Sequence, residues 1–169
     1  NLELLYGSLA EQSDKDFKVY FVDNDLACND TEYSKTLNGN YNLNIEYIST
    51  GENKGFAAGN NIGAKKALAD GCKYIFFLNN DTIPQKGWLR ALVDEVESNQ
   101  KITVVGSKLL YENGTVQHAG VAIDRLNLTP YHIYAGFASD HPAVNKRREM
   151  NAVTGACLLI RRSVFSELG

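Results

Sequence analysis

Tyr74 to Leu78 is an unbroken apolar run, Tyr-Ile-Phe-Phe-Leu, preceded by Gly71 and Lys73 and stopped by Asn79-Asn80-Asp81-Thr82. A run without alternation, bounded by turn residues, predicts a strand covered on both faces, as in a parallel sheet. Other patterns build around it. Leu2, Leu5 and Leu9 recur at helical spacing and predict a helix over 2–12. Phe17 to Val22 reads as a strand that ends at Asp23-Asn24-Asp25. Leu43, Ile45 and Tyr47 alternate with polar residues and predict a short strand. Between these two strands, 29–42 is polar, with a short helix expected over 31–37 and a turn at Asn38-Gly39-Asn40.

The stretch from Gly51 to Gly63 holds four glycines and leads into Ala64 to Ala69, a helix former stopped by Asp70-Gly71. Its glycines allow close backbone approach to a phosphate at a helix start. They equally suit a helix pressed tightly on a sheet. The spacing fits neither a P-loop nor a dinucleotide fingerprint. Leu89, Leu92, Val93 and Val96 form an apolar stripe and predict a helix over 85–98, with Pro84 at its start and Trp88 in its first turns as a packing residue. Ile102 to Val105 is a further strand. Glu112-Asn113-Gly114 turns a hairpin between 108–111 and 115–117. Val121 to Ile123 and Leu158 to Ile160 are short strands, Leu126 to Pro142 reads as a partly ordered loop, and 162–168 reads as a helix closed by Gly169. Strands and helices alternate first and then give way to a mixed half, so the expected class is α/β with a mostly parallel central sheet.

The 169 residues suffice for one domain with a sizeable core. A net charge of -3 argues against nucleic acid as a partner. Cys28, Cys72 and Cys157 are too scattered for a disulfide framework or a metal cluster, which points to a reduced, cytoplasmic setting. Asn29, Asn80, Asn113 and Asn127 each open an Asn-x-Thr sequon, and glycosylation at Asn80 would obstruct the strand tip. The chain lacks an initial Met and its only Met is Met150, so it reads as a cut chain. Lys146-Arg147-Arg148 suits a solvated surface, with a role against phosphate or an anionic membrane surface as the lesser alternative.

Ligands in open α/β sheets lie beyond the carboxyl ends of strands. Asp23 and Asp81 both stand at such ends. A carboxylate at Asp81 suits a hard, oxygen-liganded cation such as Mg²⁺ or Mn²⁺ completed by diphosphate oxygens. Asp23 could accept hydrogen bonds from a nucleoside. Either residue could instead cap a turn. His118, His132 and His141 lack metal-ligand spacing and read as structural, and no nucleophile elbow is present.

Together these stretches resemble the family 2 glycosyltransferases with the GT-A fold, in particular a rhamnosyltransferase-like branch. The matching segments are 17–25, Glu-Asn-Lys-Gly-Phe-Ala-Ala-Gly-Asn-Asn-Ile-Gly at 52–63, Phe-Leu-Asn-Asn-Asp-Thr at 77–82 and Gly-Trp-Leu at 87–89. Val-Gly-Ser-Lys-Leu-Leu at 105–110, Val-Gln-His-Ala-Gly at 116–120 and Val-Thr-Gly-Ala-Cys-Leu-Leu-Ile-Arg-Arg at 153–162 also match. The resemblance implies a Rossmann-like three-layer α/β/α domain that binds a UDP- or dTDP-linked sugar and passes it, with inversion, to a glycan or lipid-linked acceptor at the inner face of a membrane. It implies Asp23 at the nucleoside, Asn53, Gly55 and Asn61 lining the donor site, and Asn79, Asn80 and Asp81 as an Asp-x-Asp-like motif with Asp81 on the metal. Gly155 and Ala156 would face the reaction centre. The family's first strand and its acidic segment with the general base have no counterpart here, so a base is expected beyond Gly169. A degenerate binding module is the alternative to an enzyme. A sugar-phosphate nucleotidyltransferase would need a basic glycine-rich loop after its first strand.

Overall fold

The computed structural model describes residues 2–24 and 39–169. The helix expected over 31–37, Asp25, Cys28 and the Asn29 sequon lie outside the described residues, as does Asn38 of the expected turn; Gly39 and Asn40 are helical. The element order is α1 (Leu2–Ala10), β1 (Val19–Asp23), β2 (Ile45–Ser49), α2 (Phe56–Ala69), β3 (Tyr74–Leu78), α3 (Trp88–Ser98), β4 (Val104–Gly106), β5 (Leu109–Leu110), β6 (Val116–His118), β7 (Val121–Ile123), β8 (Pro130–His132), β9 (Cys157–Arg161) and α4 (Arg162–Leu168).

A mostly parallel central sheet is not what forms. Among the described residues only β1 and β2 pair in parallel, Val19 opposite Ile45 through Asp23 opposite Ser49. β3 pairs antiparallel with β9, Tyr74 opposite Arg161 through Leu78 opposite Cys157. β4 pairs with the other edge of β9, also antiparallel. β3 and β4 therefore run the same way with a reversed strand between them. The apolar run of β3 correctly signals cover on both faces, but burial carries no information about a neighbour's direction. Further small antiparallel pairings join β5 with β6 and β7 with β8, with isolated bridges from Thr115 to Ala138 and from Val121 to Ala152. β8 lies within the stretch expected to be loop.

Each face of the β3–β9–β4 sheet has its own core, because strand side chains alternate. Ile75 and Ile160 face Ala64 of α2 and Phe165 of α4. Leu159, with Phe76 and Tyr74, faces Leu92 and Val96 of α3. Leu159 and Val96 are both 0% exposed. The resulting order is helix, sheet, helix. α1 closes a third cluster, in which Leu5, Tyr6 and Leu9 pack on Leu43 and Ile45 with Val19 and Phe21 beside them.

α2 starts at Phe56, well before the run of good helix formers. Gly59 and Gly63 explain this. A Cβ on Gly63 would come within 2.9 Å of Val22 Cγ2, and one on Gly59 within 2.9 Å of Asn24 Nδ2. The glycines at these two places serve tight packing of α2 on β1. α3 is set by Gln12, which is 2% exposed. Its Oε1 accepts from Leu89 N–H at 3.3 Å, and its Nε2 donates to the Ser8 and Gln85 carbonyls at 3.0 Å. One buried amide thus serves an unpaired donor at the start of α3 and ties α1 to the loop after β3.

Candidate functional site

The tip of β1 is a hydrogen-bonded junction. Asp23 Oδ2 accepts from the Tyr47 hydroxyl at 2.6 Å, and its carbonyl accepts from Thr50 N–H and Thr50 Oγ1, both at 3.0 Å. Tyr47 stands opposite Phe21 on the paired strand, with ring centroids 5.8 Å apart, so β2 aims its hydroxyl at the carboxylate. Asn24, the next residue, reaches the glycine-rich loop. Its Nδ2 donates to the Gly55 carbonyl at 2.9 Å, and its Oδ1 accepts from Thr50 Oγ1 at 3.1 Å and Lys54 N–H at 3.4 Å.

The loop itself is shaped by Asn53, whose Oδ1 accepts from Gly55 N–H at 2.9 Å. Gly55 has φ 79° and ψ 170°, a conformation essentially restricted to glycine, and it caps α2. The exposed Phe56 follows. Asn61 lies half-buried in α2, three residues before Ala64 and so on the stripe that packs toward β3.

At the tip of β3, Asn79 N–H donates to the Ala156 carbonyl at 2.9 Å. Its own carbonyl accepts from Thr82 N–H at 3.3 Å and Thr82 Oγ1 at 2.7 Å, closing a turn that presents Asn80 and Asp81 to solvent. Among the described residues Asp81 takes part in no ion pair. The turn before β9 is held by Ala156 N–H donating to Thr154 Oγ1 at 3.3 Å. A Cβ on Gly155 would lie 3.7 Å from the Phe56 ring.

These contacts link the candidate residues in sequence. Asp23 and Asn24 hold the loop of Asn53 and Gly55. The loop leads to Phe56, Phe56 faces Gly155, and Ala156 is bonded to Asn79 beside Asn80 and Asp81. Asn53 shapes its own loop through the bond from Gly55 N–H to its Oδ1. Asn24, Thr50 and Phe56 are members that the sequence reading did not assign. Asn24 had a signal, since it sits within the acidic strand end itself. Trp88 packs edge-on against Phe76 at 5.4 Å and donates from Nε1 to Ser107 Oγ at 3.0 Å and Cys157 Sγ at 3.2 Å, a packing role. Cys72 and Cys157 are free, and burial pushes the Cys157 thiol up.

Comparison with known proteins places the chain in a family. The model of Glycosyl transferase family 2 matches residues 1–169. The chain belongs to that family. A Myxococcus xanthus relative, O-antigen biosynthesis protein RfbC, is 33% identical over 68% of this chain and 9% of its own length. An uncharacterized protein of Sinorhizobium fredii is 32% identical over 61% of this chain and 12% of its own length. An uncharacterized protein of Mycobacterium bovis is 43% identical over 31% of this chain and 20% of its own length. The chain therefore spans a small fraction of the curated relatives it matches. No solved structure matches it.

Family 2 membership accounts for an α/β domain. Among the described residues no three His, Cys, Asp or Glu side chains converge as a metal centre. No helix is long and apolar enough to cross a membrane among the described residues. Lys146-Arg147-Arg148 is partly engaged: Arg147 pairs with Glu95 at 2.6 Å and Arg148 lies over the Tyr134 ring at 5.0 Å.

Proposed function

We propose that this chain forms the nucleoside-diphosphate-sugar site of a glycosyltransferase that passes a sugar, rhamnose or another hexose, to a hydroxyl acceptor with inversion. The destination is a cell-envelope polysaccharide, and the setting is the cytoplasmic side of the membrane. Family membership and the likeness to an O-antigen biosynthesis protein support this reading. The observation that carries it is the run of contacts from Asp23 through Asn24, Gly55, Phe56 and Gly155 to Ala156 and Asn79.

Each element contributes a function that its chemistry allows. The Asp23 carboxylate, oriented by the Tyr47 hydroxyl, accepts from the nucleoside. The exposed loop at 53–55 lies before the start of α2, where backbone N–H groups and the helix dipole favour phosphate oxygens. Asn61 and the carboxamides of Asn79 and Asn80 offer further polar contacts. Gly155 and Ala156 stay small where donor and acceptor meet.

Asp81 is exposed and carries a carboxylate with no ion-pair partner among the described residues. With carboxamide oxygens beside it, this all-oxygen set fits Mg²⁺ or Mn²⁺, provided the donor's diphosphate supplies other ligands. When bound, such an ion neutralises charge that develops on the departing nucleoside diphosphate.

Calorimetric titration of UDP and dTDP in Mn²⁺ tests the assignment on the wild type, Asp81→Asn and Asp81→Ala. Metal-dependent binding should fall at least tenfold in both variants. Equal binding by all three removes Asp81 from the role. Binding without sugar transfer in the wild type points to a binding module.

A further inference from the structure

The donor-site reading leaves one buried polar device unused. His118, on β6, is 1% exposed. Its Nε2 accepts from Thr154 N–H at 3.3 Å, and its Nδ1 lies 2.7 Å from His132 Nδ1. A backbone N–H can only donate, so Nε2 carries the lone pair. The neutral ring then holds its hydrogen on Nδ1 and donates to His132 Nδ1. Burial, and after it the neighbouring His132, hold the His118 pKa down to about 4. His132 is exposed on β8, so a proton reaches the pair from its side. Beyond Thr154 the connection continues through Ala156 N–H on Thr154 Oγ1 and Asn79 N–H on the Ala156 carbonyl.

We propose that His118 and His132 are positioning residues that hold the Thr154–Ala156 turn against the tip of β3, and that proton uptake at the pair loosens this turn. The inference rests on the donor-site reading for its effect on binding. One incoming proton makes one extra N–H in the pair, and two N–H groups cannot face each other across 2.7 Å. Two outcomes balance. In one, His132 turns out of the pair carrying the proton, and the buried His118 Nδ1–H loses its acceptor. In the other, the His118 Nδ1 proton passes to His132 and the incoming proton settles on His118 Nε2, where it opposes Thr154 N–H. In the second outcome Thr154 loses its acceptor outright; in the first it keeps one on a ring no longer held from its Nδ1 side, and in both the net charge of the two side chains rises by one.

Among the described residues, the strands that flank the pair carry no further charged side chain. β5 offers Leu109 and Leu110, β7 offers Val121, Ala122 and Ile123, and the 150–154 segment offers no ionisable group. β8 adds Tyr131, opposite Ala122. Near the ends of these segments four ionisable groups have partners of their own, and Glu149 stands one residue before the 150–154 segment. Lys108 donates to Ser139 O and Asn145 Oδ1, Asp124 accepts from Leu126 N–H, Arg148 covers Tyr134, and His141 Nδ1 accepts from Ala143 N–H.

The test follows ring and backbone ¹⁵N signals of the wild type and His132→Asn from pH 8 to 4.5, with UDP affinity in Mg²⁺ measured alongside. An Asn at 132 offers a carboxamide oxygen as acceptor and cannot charge. In the wild type the amides of Thr154, Gly155, Ala156 and Asn79 should shift together as the pH falls through this range. In His132→Asn they should stay still over that range. The ratio of wild-type to variant UDP affinity should be near one at pH 8 and fall about fivefold by pH 5, a ratio that cancels the titration of UDP itself. Wild-type amides that do not move, or a variant with the same pH response as the wild type, overturn the relay. If neither protein binds UDP at pH 8, the donor-site reading fails and the amide titration still decides the relay.

Discussion

Replacing Gly59 with alanine would place a methyl group 2.9 Å from Asn24 Nδ2, 3.4 Å from its Cγ and 3.5 Å from its Oδ1. In an otherwise permissive helix the change should stabilise by about 0.5–1 kcal/mol, because glycine is the poorer helix former. Here the new methyl meets the carboxamide that pins the 53–55 loop to β1. That carboxamide donates to Gly55 O and accepts from Thr50 Oγ1 and Lys54 N–H. At about 0.5–1.5 kcal/mol each, and less for the long Lys54 contact in a half-exposed setting, displacing it forfeits about 2 kcal/mol. The net prediction for Gly59→Ala is a loss of about 1 kcal/mol. Asn24→Ala alone should lose about 2 kcal/mol. In the Asn24→Ala background nothing opposes the methyl, so adding Gly59→Ala should stabilise by about 0.5–1 kcal/mol.

The effect of one substitution thus reverses sign with the presence of the other, with a coupling of about 2 kcal/mol. Urea denaturation of the four proteins in the double-mutant cycle measures it. UDP affinity should fall in every variant that lacks the Asn24 contacts, including the stabilised double variant, which separates loop positioning from global stability. Additivity within about 0.5 kcal/mol would refute the close approach of α2 to Asn24 and with it the pinned loop.

Leu159→Ala removes the fully buried centre of the cluster with Leu92 and Val96 and should cost about 3 kcal/mol by urea denaturation; a loss under about 1 kcal/mol would mean the two layers do not meet there. His118 is held at about 4 against an ordinary imidazole value of 6.5, chiefly by burial, so the unfolded chain takes the proton first as the pH falls. Its stability contribution is complete above pH 6.5 and drains away toward pH 4, by at most about 3 kcal/mol. The difference in urea midpoint between wild type and His118→Gln should therefore change across that window, and a constant difference would contradict a neutral buried His118.

Elements whose cause is local were legible from sequence. The stripe of Leu89, Leu92 and Val96 gave α3, because one face of a helix must be apolar to be buried. Glu112-Asn113-Gly114 gave the β5–β6 turn. Tertiary causes stayed hidden. Gly59 and Gly63 weaken a helix in isolation, and only the closeness of Val22 and Asn24 explains why α2 runs through them. β8 begins at Pro130, which removes a ladder donor, and all three of its residues are exposed, so neither apolar pattern nor propensity marked it. The His118–His132 contact depends on that unread strand, so the two rings gave no joint signal. At the site, Asp23, Gly55, Asn79 and Asp81 stood out as polar or glycine residues where strands end. Phe56 did not, since an aromatic beside glycines reads as packing until its exposure is known.

The misread strand direction is also what brings the candidate residues near 80 and 155 together. β3 ends at Leu78, so Asn79, Asn80 and Asp81 leave from its carboxyl end. A parallel neighbour would bring its own preceding segment to the opposite end of the sheet, a strand length of about 17 Å away for five residues. β9 is antiparallel, with Cys157 opposite Leu78, so the residues that precede it arrive where those that follow β3 depart. That is why Ala156 O can accept from Asn79 N–H, and why Gly155 can face Phe56 at the start of α2. The reversed strand joins a segment near residue 155 to one near residue 80 without any crossover loop. It also makes Thr154 the natural point of control, because whatever holds Thr154 holds the first residues of β9 against the tip of β3.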